Sequence, residues 1–144
     1  MRRLVVTCAA AVLLLACSKA EQQPPSATLS LADVAGKWAL TTRPLNSDSV
    51  LVQYELVAGA DTSGWTLHFP NREPVPVHVL SVAGDSFVTH AGPYESVLRP
   101  GVQVTVHSVY RMQDGKLIGT SEARYSPGGA DSVRQLRTEG TRVP

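Results

Sequence analysis

From Lys37 onward, apolar and polar residues alternate in short runs. Val52-Gln53-Tyr54-Glu55-Leu56 is one example, with the period of two that marks a strand buried on one face. Eight such β-rich runs follow one another, over 37–42, 49–57, 64–69, 75–82, 86–90, 102–113, 116–126 and 131–142. Helical periodicity is almost absent. The exception is Ser30 to Gly36, whose pattern predicts one turn with Ser30 as cap and Gly36 as stop. Short strands at regular spacing with no long helix predict an all-β barrel or sandwich. No internal repeat is visible.

The clearest piece is the hairpin around Asp114-Gly115, a two-residue turn signal. That turn sets Gln113 opposite Lys116, and the register follows. One face pairs Met112 with Leu117, Tyr110 with Gly119, Ser108 with Ser121, Val106 with Ala123 and Val104 with Tyr125. The other pairs Arg111 with Ile118, Val109 with Thr120, His107 with Glu122 and Thr105 with Arg124. The first face is mostly apolar and the second mostly polar, so pattern and turn agree. Large residues sit opposite small ones, which suits a strongly curved sheet. Gly119, Ser121 and Ala123 then line the inner face, where a cavity is expected to open.

Ala83-Gly84-Asp85 predicts a second hairpin. Successive hairpins favour an antiparallel up-and-down meander closing into a small barrel. Pro74 and Pro76 oppose clean closure. Two amides that point to the same neighbour are missing there, so that end of the strand reads as an edge, a rim or a gap. A half-open barrel and a β-sandwich remain alternatives.

Ahead of the domain, Met1-Arg2-Arg3 precedes Leu4–Ala16, which carries no charge. This run is too short for a membrane-spanning helix, which needs about 20 apolar residues. It has the form of a signal peptide, residues 1–16. Leu14-Leu15-Ala16-Cys17 resembles the lipobox of bacterial lipoproteins. That resemblance implies a diacylglycerol thioether on Cys17, acylation of its new N-terminus, and a membrane as partner. Several acyl chains hold a protein at a bilayer where one does so only marginally. Ser18 after the cysteine implies sorting to the outer membrane, facing the periplasm. An ordinary secretory cleavage after Ala20 is the rival reading. Residues 17–30 form a polar tether with Pro24-Pro25, reaching at most roughly 40 Å. The barrel domain is expected over 31–144.

Composition excludes more than it indicates. The chain has 13 Lys+Arg against 12 Asp+Glu, and no basic block stands out, so nucleic acid is not expected as a partner. Its two cysteines, Cys8 and Cys17, both precede the domain, which must hold together without a disulfide. There is no Gly-x-Ser-x-Gly, His-Glu-x-x-His, phosphate-binding loop or paired-cysteine site. No enzymatic activity, cofactor or metal is therefore expected. His68, His78, His90 and His107 fall one on each of four successive strands, but their faces depend on turn lengths that sequence does not fix. The longest predicted loop, Ala91–Gly101, carries Tyr94, Glu95, Arg99, Val97 and Leu98. It reads as a crossover that packs its apolar pair, with Glu95 and Arg99 as an ion pair; a lid over a barrel mouth is the alternative.

Gly36-Lys37-Trp38, at the start of the first strand and after a short helical turn, resembles the lipocalin and fatty-acid-binding superfamily. The resemblance implies that Trp38 closes one barrel end under an arginine of the last strand, Arg137 or Arg142. It also implies binding of a small apolar molecule in a cavity of a few hundred Å³. Trp38, Tyr94, Tyr110, Gly119, Ser121 and Ala123 are the candidate lining residues. The other functions weighed are an envelope protein-interaction, inhibitor or assembly lipoprotein with a packed barrel, and a hydrolase or metalloenzyme using two or more of the four histidines.

Overall fold

A computed structural model describes residues 28–129 and 131–144. The expected signal peptide, Cys17 and most of the tether lie outside the described residues. A single helical turn α1 (Leu31–Val34) precedes β1 (Gly36–Pro44), β2 (Val52–Ala58), β3 (Trp65–His68), β4 (Val75–Ala83), β5 (Ser86–Glu95), β6 (Gln103–Gln113), β7 (Lys116–Ser126) and β8 (Val133–Arg142). Every strand pairs antiparallel with the next. β1 also pairs with β8, from Trp38 opposite Arg142 to Pro44 opposite Leu136. The result is a closed up-and-down barrel, and the β1–β8 ladder rules out the sandwich.

The β6–β7 register is the one the Asp114-Gly115 turn dictates, from Gln113 opposite Lys116 to Val104 opposite Tyr125. Asp114 and Gly115 both have positive φ, 51° and 74°, as a type I′ turn requires. The β4–β5 hairpin likewise turns between Ala83 and Ser86.

Two expectations are corrected. Pro74 and Pro76 do not hold the barrel open, because Thr66 pairs with Pro76 and Leu67 with Val75. Their effect is local: the β4–β5 ladder begins only at Val77 opposite Ala91. Strand β5 does not stop at His90 either. It continues to Glu95 through an irregularity between Ala91 and Tyr94. Gly92, at φ 107°, sits so close to β6 that a Cβ there would lie 3.1 Å from the Thr105 Cα. Gly92-Pro93, which fall in the expected loop, form here the close approach of a bulge.

The antiparallel order sorts the connections between two barrel ends. One end gathers α1 and the turns after β2, β4 and β6. The other gathers 45–51, 69–74, 96–102 and the connection from β7 to β8. The core fills the first end with Val34, Trp38, Leu40, Leu56, Trp65, Phe87 and Leu117, all essentially without solvent exposure.

Candidate functional site

The closed end is built around Trp38. Ser30 caps α1 by accepting from the Ala32 amide at 3.3 Å, while Asp33 accepts from the Ser30 amide at 3.2 Å. This reciprocal pair fixes the turn and presents the Val34 carbonyl to Trp38, whose indole Nε1 donates to it at 2.8 Å. The Arg142 guanidinium lies 4.3 Å from the Trp38 ring centroid. It also donates to the Ala35 carbonyl at 2.6 Å and the Asp33 carbonyl at 2.7 Å. Gly36 has φ 130°, and a Cβ there would lie 2.8 Å from the Arg142 guanidinium, so glycine makes room for the stack. Arg142 is thus the arginine over the tryptophan. Arg137 is not: it donates to the Ser47 carbonyl at 3.0 Å and to Asp48 near the other end.

Beyond this plug the barrel encloses a cavity of about 60 Å³, room for roughly four waters. It is smaller than the few hundred Å³ expected. The reason is aromatic filling: Phe87 and Tyr110 stack at 5.5 Å, Tyr54 and Phe69 at 4.9 Å, and Phe69 and Tyr94 at 5.8 Å. Tyr94, Tyr110, Ser121 and Ala123 line the cavity. Two other candidates do not. The Tyr110 ring occupies the space inside Gly119, and Trp38 is sealed in the closed end. Alternation on β1 and β8 points to two interior residues not singled out from sequence, Thr42 and Thr138.

The interior has a neutral polar thread. The Thr42 hydroxyl is 3.1 Å from the Tyr54 hydroxyl and 2.7 Å from that of Thr138, and Ser108 and Ser121 meet at 2.7 Å. Among the described residues no buried side-chain nitrogen or oxygen lacks a partner. Burial pushes the Tyr54, Tyr94 and Tyr110 hydroxyls above the usual phenol range, with Tyr54 raising Tyr110 further. Among the described residues, no charged side chain lines the cavity. The chemistry on offer is apolar contact and hydroxyl hydrogen bonding.

The mouth is covered by residues 96–102. Buried Ser96 accepts from the Leu98 and Arg99 amides, both at 3.1 Å, and its own amide donates to the Val102 carbonyl at 2.8 Å. Arg72 pins the segment from outside, donating to the Glu95 carbonyl at 2.7 Å. Val97 and Leu98 consequently sit on the cavity rim, so the lid alternative describes the segment better than a crossover. The expected Glu95–Arg99 pair does not form. Glu95 accepts from the Gly101 amide at 3.2 Å, and Arg99 lies 4.1 Å from the Tyr125 ring centroid.

Where β4 and β5 part, an outer groove of about 620 Å³ runs between Pro74, Pro76 and Pro93, with Arg72, Glu73 and Glu95 at its border. Phe69 and Tyr94 face both this groove and the interior cavity. Pro74 and Pro76 therefore border a groove in the wall, although the barrel closes.

The four histidines separate. His68 is held by Thr66 on β3, at 2.9 Å, and the other three form a row across β4, β5 and β6. Among the described residues, no group of three or more His, Cys, Asp or Glu is placed to hold a metal ion. Comparison with protein-family models, with curated proteins and with solved structures finds no match to this chain.

Proposed function

We propose that this protein is a lipid-anchored, non-enzymatic β-barrel of the bacterial envelope that takes up a slender apolar ligand. The observation that carries the reading is an interior sealed at one end by Trp38 and divided from a 620 Å³ groove by the Phe69–Tyr94 pair. The narrow interior suits an unbranched apolar end a few carbons long. The groove suits the rest of the molecule. The part inside is uncharged, since an ion there would have no partner and its desolvation would cost several kcal/mol.

Native mass spectrometry of the chain from Ser18 onward, expressed in a bacterial periplasm, tests this. A reproducible extra mass of a few hundred daltons is expected, and a bare mass in every preparation would sink the ligand reading. The anchor is tested separately. Radiolabelled palmitate should enter the wild type and not Cys17→Ala, and equal labelling would refute lipidation at that cysteine.

A second reading, a protein-interaction role in the envelope, is favoured by one feature. Leu45, Val50, Leu98 and Val133 are exposed at the mouth end, opposite the end where Leu29 and α1 lead in from the tether. Scattered exposed apolar residues are normal, but a group at one rim suits a docking surface. Cross-linking from that rim in intact envelopes should capture one reproducible partner under this reading and none under the first.

A further inference from the structure

The β-ladders put His78 opposite His90, His90 opposite His107, and His107 opposite Glu122. These four residues make one transverse row. Their strand neighbours Thr89, Ala91, Val106 and Ser108 line the interior cavity, so by alternation the row lies on the outer wall. His78 and His107 are exposed and His90 is half-buried.

Spacing within the row is uneven. The His90 and His107 ring centroids are 4.7 Å apart, those of His78 and His90 6.3 Å. Two imidazoles on one metal ion, with metal–nitrogen bonds of about 2.0–2.1 Å and an angle of roughly 90–110°, place their centroids about 4.5–5.2 Å apart. The spacing of the first pair falls within that range. The second does not, in keeping with the lack of a three-ligand group.

We propose that His90 and His107 form a two-histidine site for a divalent transition-metal ion on the outer wall, with water completing the coordination. Copper(II) binds most tightly, because imidazole affinity peaks there among first-row divalent ions. Metal ligation requires neutral imidazole. On the far side of His107, the Glu122 carboxylate is engaged by Arg124 and accepts from Gln135 at 2.9 Å.

The experiment is a copper(II) titration of the full-length protein in detergent at about pH 7.5, read by electron paramagnetic resonance and calorimetry. One tight equivalent with hyperfine structure from two equatorial nitrogens is expected. His90→Asn and His107→Asn should each weaken it about tenfold or more. His68→Asn and His78→Asn should leave it within about threefold. At about pH 5.5 proton competition should release the ion. Absence of a tight equivalent, or binding indifferent to His90→Asn and His107→Asn, overturns the site. A loss in His78→Asn as large as in His107→Asn overturns the two-ligand assignment. None of these outcomes depends on whether the interior binds a ligand.

Discussion

Replacing Arg142 by alanine tests how the closed end is held. The side chain makes two charge-assisted hydrogen bonds, to the Ala35 and Asp33 carbonyls. With partial exposure each contributes about 1 kcal/mol. Its position over Trp38 adds about 0.5–1 kcal/mol. The sum is about 2.5–3 kcal/mol, or roughly 10–12 °C in Tm for a domain of this size. Urea denaturation should show a lower midpoint with an unchanged slope. Arg142→Lys should recover less than half of the loss, since an ammonium cannot span both carbonyls and the ring face. Arg137→Ala is the control. Its partner Asp48 is fully exposed, so the midpoint should move little. If Arg142→Ala were no more harmful than Arg137→Ala, the closed end would not depend on the stack.

Three other substitutions probe the interior, the lid and the histidine row. Gly119→Ala drives a methyl into the Tyr110 ring; that ring is backed by Phe87, so thermal unfolding should show a loss of about 1–3 kcal/mol. Ser96→Ala leaves the Leu98 and Arg99 amides without their acceptor; hydrogen exchange should quicken at residues 97–101 while Leu40 and Leu117 stay protected. His90 has a folded pKa depressed by burial and by its histidine neighbours. Its contribution is present above the unfolded pKa of about 6.5 and is lost as pH falls toward the folded value. His90→Asn should therefore flatten the fall in stability between about pH 6.5 and pH 5, and an unchanged pH profile would refute the shift.

The sequence by itself determined the strand count, the meander and the β6–β7 register. Each rests on local chemistry. Alternation writes which face is buried, Asp114-Gly115 admits one turn geometry, and a single register satisfies both. The resemblance carried by Gly36-Lys37-Trp38 implied an arginine of the last strand over Trp38, and the β1–β8 ladder sets Arg142 opposite it. The loop expected from Ala91 misled because its first residues fit a loop or a bulged strand, and only the strand packed against them decides which. The interior volume was not legible either. The small residues Gly119, Ser121 and Ala123 suggest open space, yet whether it stays open depends on where Tyr110, Phe69 and Tyr94 come to lie from other strands. The histidine row shows the same limit. His78, His90 and His107, at spacings of 12 and 17, carry no common face until the β4–β5 irregularity and the bulge in β5 set the registers. Non-local registers and aromatic packing belong to the closed barrel, and they decided where the cavity, the groove and the His90–His107 pair lie.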